Sequence, residues 1–175
     1  MRRNSFIGLF GAVWGLAGVL LLLGSAIWRL TPMALDAFSH PFAWHHWASL
    51  IVIVLGMAYA EGYRGFHKAF SPRVAARARY LRDHPRLSHV LLAPFFCMGY
   101  FHATRRRMIT SISLTTGIII LVVLVRFVPQ PWRGIIDAGV VVGLAWGVMT
   151  VAVYGLAALR HEGFPYLPEV PDGSN

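Results

Sequence analysis

The feature that most constrains this chain is the length of its uncharged stretches. Residues 6–28 run for 23 positions without an Asp, Glu, Lys, Arg or His, and crossing the hydrocarbon core of a bilayer takes about 20 residues of α-helix. Comparable stretches occupy 108–125 and 138–159. Each is apolar on every side, which suits lipid or the middle of a bundle rather than a water-facing surface. The β-branched run Ile118–Val125 does not argue for strands. Only helices and closed barrels satisfy their backbone in lipid, and barrel strands are short and alternating. Composition agrees: 57% of the 175 residues are hydrophobic and 13% charged, with a mean hydropathy of +0.58. A soluble domain is nearer about 25% charged. These values exclude both a water-soluble domain and a disordered chain.

The expected fold is all-α, an integral membrane protein with four transmembrane helices at about 5–28, 43–60, 108–128 and 134–159. Arg29, Thr31 and Pro32 are expected to close the first, and Trp44 and Trp47 to mark the outer end of the second. Met1-Arg2-Arg3-Asn4 opens like a signal peptide. The apolar run that follows exceeds the ~7–15 residues of a cleavable core, so it reads as a retained anchor. Residues 1–161 form one domain, and 162–175, with three prolines, form an extended tail.

Charge sets the orientation. The net +9 is concentrated in 64–107, which holds Arg64, Lys68, Arg73, Arg77, Arg79, Arg82, Arg86, Arg105, Arg106 and Arg107 against Asp83 alone. Cytoplasmic loops collect Lys and Arg. That places 64–107 and both termini inside, in a bacterial inner membrane. Segment 87–103 carries His89, Pro94 and His102 and is short for a span. If it crossed, Arg105–Arg107 would lie outside, so it is expected to be interfacial or re-entrant.

Within the basic region, Ser71-Pro72 has the chemistry of a helix start. The segment it opens places Val74, Ala75, Ala78 and Leu81 on one side, with Arg73, Arg77, Arg79 and Arg82 over much of the rest. A basic amphipathic helix beside a membrane is expected to lie on anionic headgroups, at about 1 kcal/mol per basic residue. Nucleic acid is a poorer partner, because the patch abuts lipid and no nucleic-acid-binding motif is present.

Small residues let helices approach closely in lipid. Gly139, Gly143 and Gly147 repeat at steps of four on the last span, and Gly11 and Gly15, flanked by Gly8 and Gly18, do so on the first. These faces are expected to pack spans one and four together, or to form a seam between copies.

Chemistry-bearing residues are few. Glu61 adjoins the inner half of span two, where ionisable groups are costly and mark function; Arg64 at i+3 is placed to pair with it. Glu61, Arg64, His67 and His102 together could hold an anionic headgroup. His40, His45 and His46, with Asp36 and Asp137 at the same level, have metal-ligand chemistry. However, adjacent His45 and His46 diverge by about 100° on a helix, and no metal site is expected. A bis-histidine haem needs facing imidazoles, yet spans one, three and four contain no histidine. Cys97 is the sole cysteine, which excludes an intrachain disulfide, and it reads as a small buried hydrophobe. No HExxH, GxSxG, P-loop, GxGxxG or CxxC pattern occurs, and no cofactor is indicated. The expected function is a non-catalytic accessory, assembly or scaffold component. Its partners would be the bilayer, anionic headgroups, and another membrane protein or a further copy. The alternative is a membrane-embedded enzyme or carrier for a lipid, isoprenoid or quinone, built around Glu61, Arg64 and His67.

Overall fold

The computed structural model of the chain describes residues 2–160 and 164–171. His161, Glu162, Gly163 and 172–175, which include part of the expected tail, lie outside the described residues. All secondary structure among the described residues is helical. Helix α1 covers Arg2–Asp36 and passes through its expected stop at Arg29–Pro32. Pro32 removes one amide donor, yet the helix continues through it to a 3-10 turn at Ala37–Ser39.

Helix α2, Trp44–Met57, runs without a break into a π-helical segment, Ala58–Phe70, and then into α3, Ser71–Asp83. Residues 44–83 therefore form one rod, and Ser71-Pro72 does not start a helix as its residue types suggest. The Ser71 amide still bonds back five residues to Phe66 O. Pro72, which has no amide to place, stands where bonding returns to four. The Ser71 hydroxyl is spent instead on Thr150, at 2.8 Å.

Helix α7, Trp132–Arg160, lies parallel to this rod. Its Gly139 meets Ile53 and Met57, Gly143 meets Glu61, and Gly147 meets the Phe66 ring. Helix α1 runs antiparallel to both, with Met33 and Ala37 at Gly134, Leu16 at Gly155 and Gly8 at Arg82. Spans one and four do pack on each other, as expected, but not through the expected glycine faces. The Gly139–Gly147 face receives the 44–70 stretch, whereas Gly11 and Gly15 receive Val90, Leu81, Ala93 and Cys97. The reason is volume: the bulky side chains of the rod and of 87–98 fill the space that these glycines leave.

Segment 87–103 forms two short helices, α4 (Leu87–Leu91) and α5 (Ala93–Met98), which fold back against α1 and α3. The core joins Ala12, Leu16 and Val19 of α1 to Val74, Ala78 and Leu81 of α3, Val90 and Phe96 of this segment, and Val151. Helix α3 is therefore an interior element and not a surface helix. The tail is also not free of the core: Val170 packs on it, and the Thr104 amide donates to Glu169 O at 3.0 Å.

Three described helices are long and apolar enough to cross a membrane: the one through Phe6–Ser39, α6 (Arg105–Val125) and α7. The expected second span is not a fourth by itself. Its 14 α-helical residues rise about 21 Å against a hydrocarbon core of about 30 Å, and only the π-helical continuation adds length.

A Cβ on Gly143 would stand 2.9 Å from a Glu61 carboxylate oxygen and 3.1 Å from Glu61 Cβ. Gly143→Leu should therefore destabilise the bundle by about 1–3 kcal/mol. Gly24→Leu, where an added Cβ meets nothing within 4 Å, should not. Thermal unfolding of both variants in detergent checks this, and equal melting temperatures would show that the Gly143 face is open.

Candidate functional site

The polar centre of the fold is Arg77, which is 1% exposed. Its guanidinium reaches into the chain's least regular backbone. Nε donates to Phe96 O at 2.6 Å, Nη1 to Pro168 O at 2.9 Å, and Nη2 to Phe101 O and His102 O at 3.0 Å each. Its carbon also lies 4.2 Å over the Phe96 ring centroid. These carbonyls belong to the end of α5, where Phe96 O also accepts the capping Gly99 amide, and to the turn that follows and the returning tail, which lie outside any helix. Burial pushes the Arg77 pKa down, to about 10, which leaves it cationic at neutral pH.

Two residues of this clamp have left-handed backbone without being glycine: His102 at φ +47° and Glu169 at φ +50°. Such conformations cost about 1–3 kcal/mol and persist where surrounding bonds over-determine them. Here the His102 carbonyl is held by Arg77 and the Glu169 carbonyl by Thr104. Gly99, at φ +85°, ends α5 with Arg107 Nε and Cγ packed close behind it.

The expected headgroup residues are dispersed by this arrangement. Arg77 is enclosed. Arg73 Nε faces Glu169 at 3.4 Å, and Arg79 Nε faces Asp83 at 3.7 Å. Arg82 pairs with Asp83 at 2.9 Å and donates to Leu159 O at 2.8 Å near the end of α7. The Glu61–Arg64 ion pair does not form. A π-helix turns less per residue than an α-helix, so residues three apart diverge and residues four apart stack. The rings show it: Tyr59–Tyr63 lie 5.9 Å apart and Tyr63–His67 5.5 Å, both stacked. Glu61 turns to Gly143, Arg64 is exposed, and His67 meets Tyr154 at 5.7 Å. His102 lies elsewhere, 4.6 Å ring to ring from His89. Arg107 and Glu169, which the sequence reading does not single out, join Arg73 instead. Glu169 had no local signal, because only the fold brings the tail back.

At the other end of the bundle, His45 and His46 lie 4.1 Å apart and both meet Trp132, closer than helical divergence suggests. His46 Nδ1 accepts the Ala43 amide at 3.1 Å. With Phe38, Phe42 and Trp47 nearby, they form an aromatic belt of the kind found at membrane interfaces. Among the described residues, no three His, Cys, Asp or Glu gather as metal ligands. Cys97 is fully buried, and burial pushes its thiol up to about 12, so it is unreactive.

This defines a helical protein with three membrane-length apolar helices and a buried arginine that ties its irregular segments to α3. No protein-family model, no curated protein and no solved structure matches the chain.

His89 and His102 supply a test of the clamp region. Both have pKa values lowered below 6.5 by burial; His102, Arg86 and Arg77 add repulsion at His89, and Arg86 and Arg77 do so at His102. His89 Nδ1 and His102 Nε2 are buried without a hydrogen-bond partner. A base with a lowered folded pKa binds its proton more readily when unfolded, so stability is full above 6.5 and falls as pH drops through that value. The melting temperature in detergent should decline below pH 6.5. The double variant His89→Phe/His102→Asn, in which Asn tolerates the left-handed backbone, should lose most of this slope. Identical slopes would detach the pair from the acid response.

Proposed function

We propose that the chain is a four-span protein of a bacterial inner membrane, with α2 and the first turn of its π-helical continuation as the second span and with both termini and 64–107 in the cytoplasm. It serves as a non-catalytic accessory or assembly subunit that docks another membrane protein through α6. The observation that carries this reading is the isolation of α6. Only 6% of its most apolar stretch is buried, against 33% for α1 and 28% for α7. It is anchored in its first half, where the Ser111 hydroxyl donates to Met98 O at 2.9 Å and the Tyr100 and Thr115 hydroxyls bond. Beyond Thr115 it makes no extended packing with any described helix. A span held at one end and open along the rest of its length can accept a neighbouring helix, and packing is what drives such association in lipid. The basic inner end supports the orientation.

A second reading, a site for a lipid, isoprenoid or quinone, is favoured by one feature. Glu61 stands on a 13-residue π-helix, half-buried against Gly143 and without an ion-pair partner among the described residues. π-Helical turns are rare and recur at functional sites.

Gly117 of α6 discriminates the readings, because an added Cβ there meets nothing within 4 Å. Gly117→Leu should leave thermal stability unchanged while shifting the native mass, in mild detergent, from a complex to the free chain; Gly56→Leu, also open, should retain the complex. A parent that runs as a bare monomer would overturn the docking reading, as would a Gly117→Leu variant that keeps its complex. A complex of two identical chains would replace the partner by self-association.

A further inference from the structure

The inner end of α6 borders a cavity of about 310 Å³ lined by Arg73, Thr104, Arg106, Arg107, Thr110 and Glu169. Three guanidiniums against one carboxylate leave two positive charges in excess. Backbone adds to them. Thr104 precedes α6 without a side-chain cap, and the first bond into the helix is Met108 N–H to Thr104 O at 3.0 Å. The amides of Arg105, Arg106 and Arg107 thus have no acceptor among the described residues, and the positive end of a 21-residue helix dipole is left open. Such a terminus is a ready anion site.

A separate observation points the same way. Arg107 is 7% exposed, and its Nε is buried with no hydrogen bond. Its one acidic neighbour among the described residues is Glu169, with Oε2 at 3.9 Å, while Arg73 Nε holds the other oxygen at 3.4 Å. One carboxylate is stretched between two guanidiniums at distances longer than a charge-assisted hydrogen bond of about 2.7–2.9 Å. It under-fills the charge around it.

We propose that this cavity binds a phosphate monoester group and that Glu169 of the tail is an internal carboxylate competing for it. A phosphomonoester carries about −1.5 to −2 charge at neutral pH with three acceptor oxygens, which matches two excess charges, guanidinium forks, the Thr104 hydroxyl and free helix amides. The volume is at the small end of ligand pockets, about 300–1,000 Å³, and suits a headgroup rather than a large cofactor. The group can come from a lipid, since Ile109 and Ile112 just beyond the cavity are exposed for an acyl chain to follow, or from a soluble phosphate. The assignment is independent of whether α6 docks a partner.

The test is native mass spectrometry of the full chain in detergent with phosphatidic acid, phosphatidylglycerol or phosphatidylcholine, with and without inorganic phosphate. Variants are Arg106→Gln, Arg73→Gln/Arg106→Gln and Glu169→Gln, each checked for an unchanged melting temperature without ligand. The expected result is one retained phosphatidic acid, weakened about tenfold or more in the double arginine variant and tightened in Glu169→Gln. Displacement by inorganic phosphate identifies a site for the phosphate group from either source; retention against it identifies the lipid as the source. Should phosphatidic acid bind no better than phosphatidylcholine and inorganic phosphate give no adduct, the proposal fails. It fails equally if the arginine variants bind as the parent does, and loss of fold in Arg73→Gln/Arg106→Gln leaves Arg106→Gln alone to decide.

Discussion

Four backbone carbonyls converge on one guanidinium, and three of them, at Phe101, His102 and Pro168, lie outside any helix. A chain this apolar can bury a break in its helices only if the freed polar groups find partners, because each unpaired buried group costs about 1–3 kcal/mol. Arg77 meets that need at Phe101, His102 and Pro168, and adds a second donor at Phe96, whose carbonyl also accepts the Gly99 amide. Its planar fork reaches carbonyls from three segments at once, which the point charge of a lysine cannot do. The bonds tie the end of α5, the turn before α6 and the returning tail to α3. The position of α6, fixed at its first turns and free beyond, follows from that tie, as does the approach of Glu169 to Arg73 and Arg107.

This arrangement changes the meaning of the basic region. Arginines that read in sequence as a coat for headgroups are largely internal fasteners: Arg82 secures the end of α7, Arg79 pairs with Asp83, and Arg77 holds the clamp. The charge left over collects at the start of α6, where Arg106 and Arg107 join Arg73 around the cavity. An anion there and a helix along α6 would engage adjacent parts of the same element. In the proposed role of accessory subunit, the bundle is a rigid mount that presents α6 to a neighbour while its inner end responds to phosphate.

The helical class, the apolar stretches and the clustering of charge were legible because each rests on composition within a window. The length of the 44–83 rod was not, because serine and proline at 71–72 have the chemistry of a cap and only the preceding π-helix makes them interior. Arg77 carried a readable signal. Grouping it with the headgroup arginines overlooks that it falls three residues after Val74 and four before Leu81, at the edge of the apolar side of α3, where an arginine has to find acceptors inside. The Glu61–Arg64 pair was misread because i+3 spacing implies contact only at α-helical pitch. Nothing in residues 164–171 signals their docking, since Pro168 and Glu169 offer a carbonyl each, which any residue has.

The central claim is that Arg77 holds the turn and the tail by their carbonyls. Hydrogen–deuterium exchange of the full chain in detergent, parent against Arg77→Lys, tests it most directly. The Thr104 amide, bonded to Glu169 O, and the backbone of 99–104 should lose protection in the variant, while the 139–147 stretch of α7 keeps it. Unchanged protection at Thr104 in a folded Arg77→Lys protein would contradict the account.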